Sequence, residues 1–228
     1  LATMQSLLDL PEQVNALAIS GGDVSFKQLR PTLKDFGVTV KEVALGDAAP
    51  RYLQIAADRL VLAPDFVATA EKLYGKQGLQ PVVTYLANRI SAGDRKIPYS
   101  TIAGVDSTAA LGPVVDEQGQ PIELADDEVA INDWTAKELN VDVGDEVTFV
   151  WYEPETTHGE LREHAPLTLK VRATLPLADA DGKPTAAADP DFAPELPGVT
   201  DQASIDDWEL PFDLVETVRD EDEKYWDD

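Results

Sequence analysis

The chain has 228 residues, 43% of them apolar and 27% charged, with 14 glycines and 16 prolines. That composition supports one large core or two small ones and excludes collagen-like, low-complexity and wholly disordered classes. Its 18 basic and 43 acidic side chains leave a formal net charge of −25, a surface that repels phosphates, and it has no cysteine, so nucleic-acid binding, disulfides, thiol catalysis and cysteine-ligated metal centres are excluded.

The charge is unevenly placed. Residues 1–100 carry 11 basic and 10 acidic side chains, whereas residues 101–228 carry 7 and 33. The expectation is an α+β protein of two subdomains: a mixed α/β, βαβ-like part over residues 1–96, and a strand-rich acidic part over residues 97–228 forming a small barrel or antiparallel sheet. The acidity itself reads as a solvated, self-repelling surface. No apolar run reaches the roughly 18 to 20 residues that cross a bilayer, and the first residues lack the basic-then-apolar order of a signal peptide. A first residue of Leu1 rather than methionine is read as a segment of a longer polypeptide.

In chain order, Leu1, Met4, Leu7 and Leu8 recur at helical spacing until Pro11, and the apolar run from Val14 to Ile19 reads as a strand ended by Gly21-Gly22. Leu29, Leu33 and Phe36 predict a second helix, with Pro31 in its first turn and Gly37 at its C-terminal cap. Val38 to Val43, and Leu53 with Ile55 beyond a turn at Gly46 to Pro50, alternate as strands. Asp65 to Tyr74 predicts a helix with Phe66, Ala70 and Leu73 on one side and a cap near Gly75, and Val82 to Ile90 is extended.

The second part opens on a short strand, Glu128 to Ile131, followed by Asn132 as the cap of a brief helix bearing Trp134, Ala136 and Leu139. Gly144 supplies a permissive turn residue, and Asp145 can bond its own turn. Val147, Phe149 and Trp151 then alternate along Glu146 to Tyr152. The clearest strand is Leu167 to Leu175, in which every odd residue is apolar and every even one polar. These two segments are expected to be strands of one sheet. Residues 176–198 hold five prolines and no apolar period, which predicts a long loop, and the end of the chain mixes aromatic residues with acids.

Motifs for chemistry are sparse. Asp179-Ala180-Asp181-Gly182 begins like a calcium loop but lacks the third ligand and distal glutamate, so it is read as a turn. Asp116-Glu117-Gln118-Gly119 and Asp126-Asp127-Glu128 read likewise as hairpin and turn acids. His158, Glu160, Glu163 and His164 form the cluster that combines imidazole with carboxylate, but two histidines six apart do not share a helical face as a zinc helix requires. It reads as a polar hairpin loop. There is no G-x-S-x-G elbow or phosphate loop, and Ser20-Gly21-Gly22 is an isolated turn. No catalytic, cofactor-binding or metal-ligating residue is nominated, no cofactor is expected, and the chain is expected not to be an enzyme. Trp134 and Trp151 fall on faces that a core would claim, while Trp208 and Trp226 sit in the acidic tail.

The run from Glu128 to Val147 resembles a segment of bacterial FtsX-like ABC transporter permeases, whose MacB-like extracytoplasmic domain carries strand, few-residue helix, and a Leu-x-Val-x-x-Gly-Asp-x-Val strand. Ile97 to Gly104, Tyr152 to Gly159 and Pro194 to Gln202 are similar to segments of a large-permease subgroup. The opening Leu1 to Ser20 is similar to the family's extracytoplasmic α/β portion. The resemblance implies a periplasmic domain of a bacterial inner-membrane protein, without catalytic residues. Its implied partners are the permease's own transmembrane helices, a cytoplasmic ABC ATPase, and lipid, lipoprotein or peptide cargo. The membrane helices of such permeases are absent from this sequence. The competing expectation is a secreted hydrolase or a cation-dependent binding module.

Overall fold

The computed structural model describes residues 30–43, 52–58, 61–106, 114, 116, 120–153, 162–183, 185, 198–199, 202, 208, 214, 216–219 and 222. The expected helix over residues 1–10, the strand over 14–19, most of the loop at 176–198, and Trp226 lie outside them. The fold is α+β, with helices and two sheets, and it divides into two compact units, Leu1–Phe36 and Gly37–Asp228.

Within the first unit the described part is one 3-10 turn, Leu33–Phe36. It is shorter than the helix that the spacing of Leu33 and Phe36 predicts. Pro31 precedes the turn as irregular backbone, and the backbone N–H and hydroxyl of Thr32 donate to Asp35 Oδ2 at 2.6 and 2.8 Å, closing it tightly. Both apolar residues are exposed, so no burial repays a longer helix.

The second unit begins at Gly37, whose φ of +66° suits the glycine expected there. Strand β1 (Val38–Val43) pairs antiparallel with β2 (Tyr52–Ala57) in a two-stranded sheet, as the alternation predicts. Helix α1 (Pro64–Tyr74) starts with proline in its first turn, where the missing N–H costs nothing. Phe66, Val67 and Ala70 are half-buried on it, whereas Leu73 is exposed, so the expected apolar side is only partly used.

The larger sheet has five strands in the order β4-β3-β6-β7-β5. β3 (Val82–Ala92) turns at Gly93-Asp94 into β4 (Arg95–Val105), and the two pair antiparallel from Val82↔Val105 to Ala92↔Arg95. The subdomain boundary expected between residues 96 and 97 thus falls inside β4, whose pairing with β3 runs across it. Pro98 sits in β4 because that strand is at the sheet edge, where an absent N–H breaks no ladder bond on the open side.

β5 (Glu128–Asn132) leads into α2 (Asp133–Leu139), capped by Asn132 Oδ1, which accepts from Thr135 N–H at 2.7 Å. The turn after α2 uses Gly144 at φ +104°, and Asp145 Oδ2 accepts from Asp142 N–H at 2.8 Å. β6 (Glu146–Val150) and β7 (Leu167–Leu175) then pair antiparallel, with Thr148 and Thr168 hydroxyls 2.9 Å apart across them. β5 joins the far side of β7 in parallel, which makes the sheet mixed rather than antiparallel throughout.

The main core lies on one face of this sheet. Ala87, Ile90, Ile97, Ile131, Leu139, Val147, Phe149 and Val171 are all buried together, with Trp134 and Trp151 packed against them as expected. Each such large apolar side chain contributes about 1.5–3 kcal/mol on burial. Along β7, Val171, Ala173 and Leu175 are buried while Leu167 is exposed, so the alternation buries its residues only where β5 also flanks the strand.

The alternation changes phase within the β3–β4 hairpin. Ala87 and Ile90 share the main core although one is odd and the other even, and so do Ile97 and, at its margin, Ile102. Between them Tyr99 takes φ +41°, and Asn88 and Tyr99 are missing from an otherwise continuous ladder. A left-handed backbone at a non-glycine residue costs about 1–2 kcal/mol. The re-phasing turns Tyr99 to the opposite face, where it is buried with Leu86 and Val199 in a second, smaller cluster flanked by Trp208 and Val218.

Candidate functional site

Several of the acids raised by the sequence are hydrogen-bonded within their own turns. Asp179 Oδ1 accepts from the backbone N–H groups of Asp181 and Lys183, each at 2.9 Å, which spends that carboxylate on its own turn. Asp116 Oδ1 accepts from Gln120 N–H at 2.8 Å, and Glu128 Oε2 from Ala125 N–H at 3.0 Å. His158 and Glu160 lie outside the described residues. His164 stacks on Trp151, with ring centroids 4.4 Å apart and planes 11° from parallel, and its Nδ1 is 2.6 Å from the Ala165 carbonyl oxygen. Glu163 bridges to Tyr152 in an antiparallel pair. Among the described residues no group of three or more acidic or histidine side chains is placed to hold a metal ion.

A different constellation is assembled by the tertiary structure on the small-cluster side of the β3–β4 hairpin. Glu216, with its side chain 9% exposed, pairs Oε1 with Arg89 Nη1 of β3 and Oε2 with Lys96 Nζ of β4. Burial pushes the Glu216 carboxyl up, but the hydrogen bonds and charges of Lys96 and Arg89 outweigh it and hold the group below the usual glutamate range. Its backbone N–H donates to Tyr99 Oη at 2.9 Å, and the Tyr99 ring meets Trp208 edge-on at 5.8 Å. Beside it, Tyr85 Oη donates to the Tyr152 carbonyl at 2.7 Å, and burial pushes that phenol up.

A second anchor is made by Arg219 and Asp222, three and six residues beyond Glu216. Asp222, 2% exposed, accepts from Arg219 through Nε at 2.9 Å and Nη2 at 2.5 Å, and Arg219 Nη2 also reaches Glu138 Oε2 of α2 at 3.5 Å. Arg95 Nη1 donates to the Glu138 carbonyl at 3.0 Å. Between the anchors opens a cleft of about 280 Å³ lined by Asp94, Arg95, Lys96, Pro98, Glu138, Thr217 and Arg219. Of its lining cations, Lys96 and Arg219 are engaged by carboxylates and Arg95 by the Glu138 carbonyl. The arrangement ties Glu216 to β3 and β4, and Arg219 to α2.

The sequence held one missed signal for this region. Ala92-Gly93-Asp94-Arg95 is a two-residue hairpin turn, which would have announced β4. The pairing of Glu216 with partners 120 and 127 residues earlier has no local signature.

No family model matches the chain, and no curated protein matches it. Among the described residues no helix is long and apolar enough to cross a membrane.

Proposed function

We propose that this chain is the extracytoplasmic domain of an FtsX-like, MacB-type ABC permease of the bacterial inner membrane, a non-catalytic element that couples ATP-driven transmembrane motion to an envelope substrate or partner. The observation that carries the reading is the segment from Glu128 to Val147. The residues that resemble the permease family fold as strand β5, the seven-residue helix α2, a Gly-Asp turn and strand β6, with β7 following.

The physical character of the sheet supports a mechanical role. Five hydrogen-bonded strands over one shared apolar core move together, because shearing one strand would break ladder bonds and core contacts at once. The partners in this reading are the permease's own transmembrane helices, a cytoplasmic ABC ATPase, and a lipid, lipoprotein or peptide cargo.

Purification of the full-length parent protein from native membranes tests it. The expected result is recovery in the membrane fraction together with an ATPase subunit identified by its phosphate-binding peptide and by ATP hydrolysis. Recovery from the soluble fraction without that subunit overturns the reading. Calorimetry with calcium and with zinc is expected to be flat, and tight stoichiometric heat favours a cation-dependent binding module instead.

A further inference from the structure

No further inference is drawn: the strongest candidate, the cleft of about 280 Å³ beside the turn between β3 and β4, belongs to the site already described, where Lys96 and Arg219 are engaged by carboxylates and Arg95 by the Glu138 carbonyl.

Discussion

The two faces of the β3–β4 hairpin make an instructive contrast, because the same strands bury both. Toward β6 and β7, Ala87, Ile90 and Ile97 meet Val147, Phe149 and Val171, and the contact is apolar throughout. Toward the C-terminal residues, Leu86 and Tyr99 meet Val199 and Trp208, and the rim is made of Arg89, Lys96 and Glu216. The first face gains from every methylene removed from water, whereas the second depends on charges whose desolvation offsets much of their attraction. The phase change at Asn88 and Tyr99 is what lets one hairpin serve both.

The largest expected effect is on the apolar face. Phe149→Ala should destabilise the folded state by about 3–5 kcal/mol, read as a lower denaturant midpoint, since it opens a cavity where Ile90 pairs opposite. A loss below about 1 kcal/mol would break the contrast by showing that this face is not the stable one. Next, Glu216→Gln should cost about 1.5–3 kcal/mol in chemical denaturation, and the cost should shrink in 1 M salt. Loss of the cap through Asn132→Ala should cost about 1 kcal/mol, because Thr135 N–H loses its acceptor at the start of α2.

A titration sharpens the same comparison. Because Glu216 is held below the usual glutamate range in the folded chain, its stabilising contribution is complete above the unfolded pKa and is lost as pH falls through the folded one. Stability measured by urea unfolding should therefore fall below about pH 4 more steeply in the native chain than in Glu216→Gln. Matching slopes would show that the Glu216 ion pairs contribute nothing to acid sensitivity. The smallest effect is expected from Leu73→Ala on α1, within about 0.5 kcal/mol in the same assay, because that side chain is 60% exposed.

Local elements were legible where periodicity and punctuation agreed. β1, β2, α1, β3, β5, α2, β6 and β7 all follow their apolar spacing, and Asn132, Gly37 and Gly144 stand at the cap and turn positions their chemistry requires. β4 gives mixed signals, since the Gly93-Asp94 turn announces it while Pro98 and Gly104 argue against a strand, and its edge position is what makes Pro98 harmless. Leu33 and Phe36 were misleading for the opposite reason: their spacing is helical, yet nothing buries them and a single tight turn forms. The acids at Asp116, Asp179 and Glu128 were legible as turn residues because their hydrogen bonds are made within four positions along the chain.

What the amino-acid order alone determined is therefore the set of short-range decisions: where a strand alternates, where a helix is capped, and where an acid closes its own turn. These depend on dihedral preferences and on neighbours a few residues apart. What only the tertiary structure decided is the mixed sheet, the division of labour between the hairpin's faces, and the meeting of Glu216 with Arg89 and Lys96. Those outcomes depend on which distant segments close together at least entropic cost, and a charge has no way to mark in sequence the partner that folding will bring to it.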